Sequence, residues 1–296
     1  MPAIFIEEGN DLMGKILDGK ALANLRADKL KEKVTDLKKQ NIIPLFCVIN
    51  IGDDPGSKVY VRTKKRRAKS VGIIQKIYQL PTDEQQSDLL ALIDKLNADP
   101  QVYGIMIQLP APKQINVNQA VERIDPNKDV DCLTPSNVGR LWQGNHFVEP
   151  ATIDGIMALL DHYQIDLKSK DVVIIGRSNI VGKPLAALML ERDATVSVLH
   201  LETKDISEYT KRADVLISAA GQANLVTADM VKDGVVVIDV GINHIHGHLV
   251  GDVAFDDVLP KASYITPVPG GVGPLTVESL MEQVIKLTRR ANGLRE

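Results

Sequence analysis

Short apolar, β-branched runs alternate with helical ones along most of this chain. "IIPLFCVINIG" (Ile42 to Gly52) has the composition of a buried strand, and "GSKVYVRTKKRRAKSVG" then loses that pattern and predicts a helix ending near Gly72. "IIQKIYQLP" repeats the strand signal. "TDEQQSDLLALIDKLNADP" places Leu89, Leu90, Leu92, Ile93 and Leu96 at helical spacing behind a Thr82 cap, and "VYGIMIQLP" is a third strand. Such alternation implies parallel strands joined by crossover helices, with ligands bound beyond the strands' carboxyl ends.

The loop "CLTPSNVGRLWQGNHFVEP", rich in turn residues, suits a domain junction, and the boundary is placed near Pro150. "TIDGIMALLDHYQ" predicts a connecting helix. Four strand signals follow, "DVVIIG", "ATVSVLH", "ADVLISAAG" and "GVVVIDVGIN", the first coupled to a glycine-bearing turn and a helix. The final "TVESLMEQVIKLTRRANG" has a Thr276 cap, a Glu two residues later and apolar residues at helical spacing. The expected fold class is therefore α/β. It comprises an N-terminal three-layer α/β catalytic domain over 1–150, completed by the C-terminal helix 275–296, and a Rossmann-like parallel-sheet domain over 151–274, with a cleft between them.

A length of 296 residues agrees with two domains. The net charge of −3 argues against a surface built wholly for nucleic acid, although "KKRRAK" leaves room for a local patch. The two cysteines, Cys47 and Cys132, lie far apart and offer no disulfide framework or paired metal spacing, which fits a reducing cytosol. Glu7, Glu8 and Asp11 stand where a signal peptide needs a basic start, and no apolar run reaches membrane-spanning length. A cytoplasmic location with no membrane partner is expected.

In "VVIIGRSNIVGKP", Gly176 and Gly182 flank the turn between a strand and a helix, leaving helix amides for a phosphate. Glycines in such a turn also serve close packing alone, and these do not fit G-x-G-x-x-G. Arg177 tilts the reading toward an extra phosphate, such as the 2′-phosphate of NADP. Glu202, about 20 residues past Gly182, is either a solvated loop residue or an acceptor for ribose hydroxyls that would repel that phosphate.

Within "DPGSKVYVRTKKRRAKSVGI", Tyr60 and Lys64 at i and i+4 share one helix face, and Arg67 lies three residues beyond. A nearby like charge and burial under a ligand would both disfavour the ammonium form of Lys64, which would suit it to general acid/base work. A solvated cationic helix face is the plainer account.

The chain from "ILDGKALA" to its last helix resembles the bifunctional methylenetetrahydrofolate dehydrogenase/cyclohydrolase family. "DPGSKVYVRTKKRRAKSVGI" is similar to the family's D-P-A-S-x-x-Y-x-x-x-K helix, "GIMIQLPAP" to its V-Q-L-P-x-P strand end and "DPNKDVDCLTPSNVGRL" to its K-D-V-D-G loop. "GRSNIVGKP", "IDVGIN", "GDVAFDDV" and "ITPVPGGVGPLTVESL" follow in the family's order. The resemblance implies oxidation of 5,10-methylenetetrahydrofolate by NADP and hydrolysis of the methenyl product to 10-formyltetrahydrofolate, in one-carbon metabolism. It implies Tyr60, Lys64, Gln108 and Asp131 as the active-site quartet. Lys64 would manage protons, and Gln108 would bond to it, fix its position and favour its neutral form. Tyr60 would border the folate rings, and the ionised Asp131 would accept from pterin donors. Leu109, Pro269, Gly270 and Gly273 would lie against the substrate, while Gly176, Arg177, Ser178, Gly182 and Ile242 would hold the cofactor. A homodimer is implied, with "GINHIHGHLVGDV" as a hairpin that could build it.

The match departs at Cys132, where the family has glycine, so a side chain enters the loop beside Asp131. Ala151, Ile153 and Asp154 replace the usual P-C-T-P-x-G pattern at the interdomain hinge. Leu201 stands where many relatives carry a serine for the 2′-phosphate, so with Glu202 alongside, NAD is the alternative cofactor. A short-chain dehydrogenase also uses Tyr-x-x-x-Lys, but its glycine turn precedes that helix, whereas here Tyr60 precedes Gly176. A nucleic-acid binder lacks its interleaved aromatics here, and a binding-only relative would not need the whole quartet. His244, His246 and His248 alternate as on a strand with no carboxylate or cysteine to complete a metal set, so no metal is expected.

Overall fold

The computed structural model describes residues 14–245 and 247–295. The acidic N-terminal residues and His246 discussed above lie outside them. The first part of the chain comprises β1 (Lys15–Ile16), α1 (Gly19–Lys39), β2 (Leu45–Ile51), α2 (Pro55–Val71), β3 (Ile74–Leu80), α3 (Gln86–Ala98), β4 (Gly104–Gln108), α4 (Val117–Arg123) and α5 (Pro135–Trp142). It continues with α6 (Ala151–His162), β5 (Asp171–Ile175), α7 (Gly182–Glu191), β6 (Thr195–Leu199), α8 (Ile206–Thr210), β7 (Val215–Ser218) and β8 (Val235–Asp239). The hairpin β9 (Asn243–Ile245) and β10 (His248–Val250), then α9 (Phe255–Val258), β11 (Ala262–Ile265) and α10 (Val272–Ala291), complete it.

Strands β3, β2 and β4 form one parallel sheet in that order. Every residue of the central β2 is buried. Its alternate side chains supply two cores, Phe46 and Val48 facing α1, α2 and α10, and Cys47 and Ile49 facing α3 and α4. That is why "LFCVINI" is apolar throughout rather than alternating. The second sheet has the order β1-β11-β8-β7-β5-β6 and is parallel throughout. Its edge strand β1 comes from the segment expected to belong to the first domain. Two residues, Lys15 and Ile16, pair with Tyr264 and Ile265, too short a match to carry a sequence signal.

Three local expectations are corrected. Thr82 does not cap α3, which begins four residues later with Gln85 at its N-cap and no side-chain cap bond. Thr276 lies inside α10 rather than at its start, because the chain becomes helical directly after Gly271 at Val272, and its hydroxyl bonds back to the Val272 carbonyl at 3.3 Å. The junction loop contains α5, opened by Thr134, whose hydroxyl accepts from the Asn137 amide at 3.4 Å, and by Pro135 in the first turn. No helix among the described residues is long and apolar enough to cross a membrane.

Helix α2 starts where local chemistry requires. The Asp54 carboxylate accepts from the Ser57 amide at 2.7 Å, Pro55 follows, and Gly72 ends the helix at φ 88°. Between the sheets, α6 packs along α10, and Asp154 of α6 pairs with Arg26 of α1 at 2.6 Å and approaches Lys286 of α10 at 3.9 Å. The altered hinge residue Asp154 thus ties together three helices at the junction.

Candidate active site

Two cavities that share Lys64, Gln108, Thr152 and Thr276 in their walls lie beside one another. The larger, about 920 Å³, is bordered by Tyr60 on α2, by Ile242, and by Pro269, Gly270 and Gly273 before and within α10. The smaller, about 190 Å³, reaches Leu109 and Asp131. Lys64 and Gln108 face both.

Lys64 projects from α2 toward the end of β4. Its Nζ donates to Gln108 Oε1 at 3.0 Å and lies 3.8 Å from the Met106 sulfur. Burial pushes its ammonium below the ordinary lysine range, and the negative charge of Asp131 partly restores it. The like charge of Arg67 is not the cause, because Arg67 is engaged by Glu278 of α10, with Nε 2.9 Å from Oε2. The expected influence of Gln108 is also corrected. Its Nε2 donates to the Leu109 carbonyl at 2.8 Å, which turns the amide oxygen toward Lys64. An oxygen acceptor positions the amine but does not favour its neutral form; burial does.

The K-D-V-D loop separates its charges by task. Lys128 is structural, donating to the carbonyls of Leu96, Asn97 and Asp99 at 3.1, 2.7 and 2.7 Å. Asp129, buried, accepts from the amides of Leu133 and Thr134 at 3.2 and 2.8 Å and from Asn137 Nδ2 at 3.0 Å. Asp131 is left facing the smaller cavity, with its carboxyl raised by burial to about 6 against the opposing charge of Lys64. Burial thus works against its ionised form, and the Lys64 charge works for it.

Cys132 adopts φ 57°, the left-handed region where the family's glycine would sit without strain. Its sulfur is buried in the core and donates to the Val148 carbonyl at 3.3 Å. Burial pushes this thiol far above its ordinary range and pushes that of Cys47 up to about 11. Neither is a nucleophile near neutrality. Titration with an aromatic disulfide reagent at pH 8 is expected to find no reactive thiol in the native protein and both after denaturation; a fast-reacting native thiol would contradict this placement.

In the second sheet, Gly176 stands at φ 123°, and a Cβ there would come within 2.4 Å of the Ala219 carbonyl oxygen. A Cβ on Gly182 would meet the Gly176 carbonyl oxygen at 1.9 Å. The turn thus folds on itself so closely that both glycines are sterically required. Ser178 Oγ accepts from the Val181 amide at 3.1 Å within the turn that precedes α7, whose N-cap is Val181. The amides of Arg177, Ser178 and Asn179 have no protein acceptor among the described residues, and Arg177 and Ser178 are exposed. These amides beside an unpaired guanidinium fit a phosphate-bearing cofactor. Leu201 and Glu202 follow β6 on the surface, and the Glu202 amide donates to His200 Nδ1 at 3.2 Å. Gly176, Arg177, Ser178 and Gly182 border neither cavity, whereas Ile242 borders the larger one.

Sequence reasoning overlooked Thr152 and Thr276, whose hydroxyls lie 3.4 Å apart and which border both cavities. It also gave no role to Asp239 at the tip of β8. That carboxylate accepts from the amides of Gly241, Asp252 and Val253 at 2.9, 3.0 and 2.9 Å, and burial raises it to about 6. Asp252, fully buried, gathers Ser218, the amides of Ala220, Gly221 and Gln222, and Asn243. The quoted "IDVGIN" and "GDV" motifs are the two halves of this hub.

Two α/β units with parallel sheets, one with a tight glycine turn and the other with a lysine, amide and carboxylate gathered at a cavity, are the frame of a nucleotide-dependent enzyme. The chain belongs to the tetrahydrofolate dehydrogenase/cyclohydrolase family: residues 17–131 match the model of its catalytic domain and residues 150–292 that of its NAD(P)-binding domain. It is 69% identical over 281 residues to the bifunctional protein FolD of Lactobacillus acidophilus, covering 95% of this chain and 99% of that one. Among solved structures, it is similar to the bifunctional FolD dehydrogenase/cyclohydrolase of Campylobacter jejuni (TM-score 0.92, 48% identity, 93% and 99% of the two chains). It is also similar to the Trypanosoma brucei enzyme complexed with NADP cofactor and inhibitor (TM-score 0.91, 36% identity, 95% and 99%).

Proposed function

We propose that this chain oxidises 5,10-methylenetetrahydrofolate with NADP and then hydrolyses the methenyl product to 10-formyltetrahydrofolate, with Tyr60, Lys64, Gln108 and Asp131 as the site of both reactions. The observation that carries the reading is the buried Lys64–Gln108 contact at the meeting of the two cavities, with Asp131 acting on the same amine. NADP, when bound, takes up the hydride that leaves the bridging methylene carbon. The chain's own part is orientation and proton handling. Tyr60, 43% exposed, borders the larger cavity and limits the tilt of the folate rings, so that the carbon is held at the roughly 3–3.5 Å reacting distance. Asp131 accepts from pterin donors when ionised. For hydrolysis, Lys64 takes one proton from the water that adds to the cationic methenyl carbon; the bond from that carbon to N5 then breaks, N5 gaining a proton as the adduct's hydroxyl loses its own to become the formyl carbonyl on N10, so that one proton is released overall. Purified protein supplied with methylenetetrahydrofolate and NADP should form reduced cofactor and 10-formyltetrahydrofolate; a folded protein that forms neither would overturn the assignment.

The further site residues are proposed in the same terms. Leu109, Pro269, Gly270 and Gly273 border the folate, and Gly176, Arg177, Ser178, Gly182 and Ile242 hold the cofactor. In Arg177→Ala, the apparent affinity for NADP is expected to fall by roughly 10- to 100-fold, the worth of hydrogen bonds to a charged group, with little change for NAD. Equal losses for both would show that Arg177 serves the turn and not the 2′-phosphate. The division into a folate domain ending near Pro150, completed by α10, and a cofactor domain after it belongs to the same reading. So does a homodimer built on the β9–β10 hairpin, where Ile245 is 38% exposed, in a reducing cytosol that keeps both cysteines as thiols. Sedimentation of the pure protein tests the dimer.

A further inference from the structure

At the carboxyl end of the second sheet, two carboxylates are buried side by side. Asp252 is fully buried and Asp239 is 3% exposed. Ligands of a parallel sheet bind beyond that end of its strands, and Asp239, Val240, Gly241 and Ile242 border the larger cavity. A buried carboxylate is retained only where other donors replace its water. Here those donors lie on separate segments of the chain.

Asp252 Oδ2 accepts from Ser218 Oγ at 3.1 Å and from the amides of Ala220 and Gly221 at 2.7 and 3.1 Å. Its Oδ1 accepts from the Gln222 amide at 2.9 Å and from Asn243 Nδ2 at 3.0 Å. One side chain thus holds both the turn that follows β7 and the first residue of β9. Asp239 holds Asp252 in turn, its Oδ1 accepting from the amides of Gly241 and Asp252 and its Oδ2 from that of Val253. The fit leaves no space for side chains in between: a Cβ on Gly241 would stand 2.2 Å from Asp252 Oδ1, and one on Gly251 1.8 Å from Asp239 Oδ2.

The turn after β7 is also the wall against which the glycine turn sits. The atom that a Cβ on Gly176 would meet at 2.4 Å is the carbonyl oxygen of Ala219, the residue just before the amides that Asp252 binds. A shift of that turn would move the seat of Gly176, and release of Asn243 would free the loop that carries Ile242. Both edges assigned to the cofactor are therefore set by one carboxylate.

We propose that Asp252, backed by Asp239, is a positioning residue for hydride transfer: it fixes the glycine turn and Ile242 relative to one another, so that a cofactor held at both is held in one place. The inference rests on the cofactor reading of these two segments and deepens it. A carboxylate is required at this position. An amide of the same shape would turn an NH2 group either toward Ser218 and the amides of Ala220 and Gly221 or toward the Gln222 amide and Asn243, setting donor against donor whichever way it faced.

The test compares Asp252→Asn with the wild type as whole chains, after thermal melting has shown the variant to be folded. Without cofactor, amide hydrogen exchange at residues 219–222 and 241–243 is expected to quicken roughly tenfold or more, while β2 and β4 exchange as before. With NADP and methylenetetrahydrofolate, kcat for oxidation should fall by roughly 10²-fold. A deuterium isotope effect from the bridging carbon should be fully expressed on that kcat, because hydride transfer then limits turnover. The KM for methylenetetrahydrofolate and the hydrolysis of supplied methenyltetrahydrofolate should stay within about twofold of the wild type. A purely structural loss would instead lower both activities together. If Asp252→Asn does not fold, Asn243→Ala carries the test: it removes one donor, leaves the carboxylate with its amides, and should reduce oxidation by roughly tenfold with the same split from hydrolysis. Unchanged exchange and unchanged oxidation in a folded variant, or parallel losses of oxidation and hydrolysis, would overturn the proposal. A wild type that neither binds NADP nor oxidises the folate would overturn the cofactor reading itself, and is told apart before any variant is compared.

Discussion

Lys64→Met is expected to reduce hydrolysis of supplied methenyltetrahydrofolate by roughly 10²- to 10⁴-fold, the usual contribution of a positioned proton-transfer group. Methionine keeps the length of the stem and its apolar contacts while removing the amine, so loss of fold is not the expected cause. The pH dependence carries more information than the rate. Burial lowers the Lys64 ammonium and Asp131 raises it, so the free amine grows as pH rises and hydrolysis should show an acid limb set by that titration. In Asp131→Asn the charge that favours the ammonium is gone. The acid limb should then move to lower pH, even though the rate also falls through weaker pterin binding. Hydrolysis that is unchanged in Lys64→Met, or a limb that moves to higher pH in Asp131→Asn, would remove Lys64 from the proton-handling role.

The parts of the architecture legible in the sequence were those whose physics is local. The buried strands β2, β4, β5, β7 and β8 are continuous apolar runs because both sheet faces are covered, and α2 announces itself through Asp54, Pro55 and Gly72. What stayed hidden depends on contacts between distant residues. Strands β1 and β11 are short and gain their pairing from each other and from β8. Glu278 entered the sequence reading only as the Glu two residues after Thr276 in a capping signal; the packing of α10 against α2 is what places it with Arg67. The sign of the Gln108 contact likewise depends on a hydrogen bond to Leu109 that fixes which end of the amide faces Lys64.

Among the site residues, the motifs carried identity and the fold supplied the chemistry. Two aspartates two residues apart in "KDVD" look equivalent in sequence. The loop that follows consumes Asp129 with backbone amides and leaves Asp131 to the cavity. The Cys132 substitution looked like an intrusion next to that carboxylate. Its positive φ instead directs the sulfur into the core, so the departure from glycine is borne by backbone strain and not by the binding surface.

Gly182→Ala should separate the two activities in the opposite sense. A Cβ at this position would lie 1.9 Å from the Gly176 carbonyl oxygen and 2.7 Å from its carbon, with the Arg177 Cα at 3.1 Å. All three are main-chain atoms, so no side chain can rotate away and the turn itself must shift. Moving it far enough to restore ordinary contact displaces the amides of Arg177 to Asn179 by more than 1 Å, and misplacement on that scale costs roughly 10²-fold or more in a reaction that depends on positioning. NADP binding and methylenetetrahydrofolate oxidation should therefore collapse. Hydrolysis of methenyltetrahydrofolate added directly should persist, because Lys64 on α2, Gln108 on β4 and Asp131 in the loop beyond it belong to the other sheet's layers and not to the turn. Thermal melting establishes that the variant is folded before either rate is compared. Unimpaired NADP binding would mean that the turn is not the cofactor's cradle, and equal loss of both activities in a folded variant would mean that the two sheets do not divide the work between oxidation and hydrolysis.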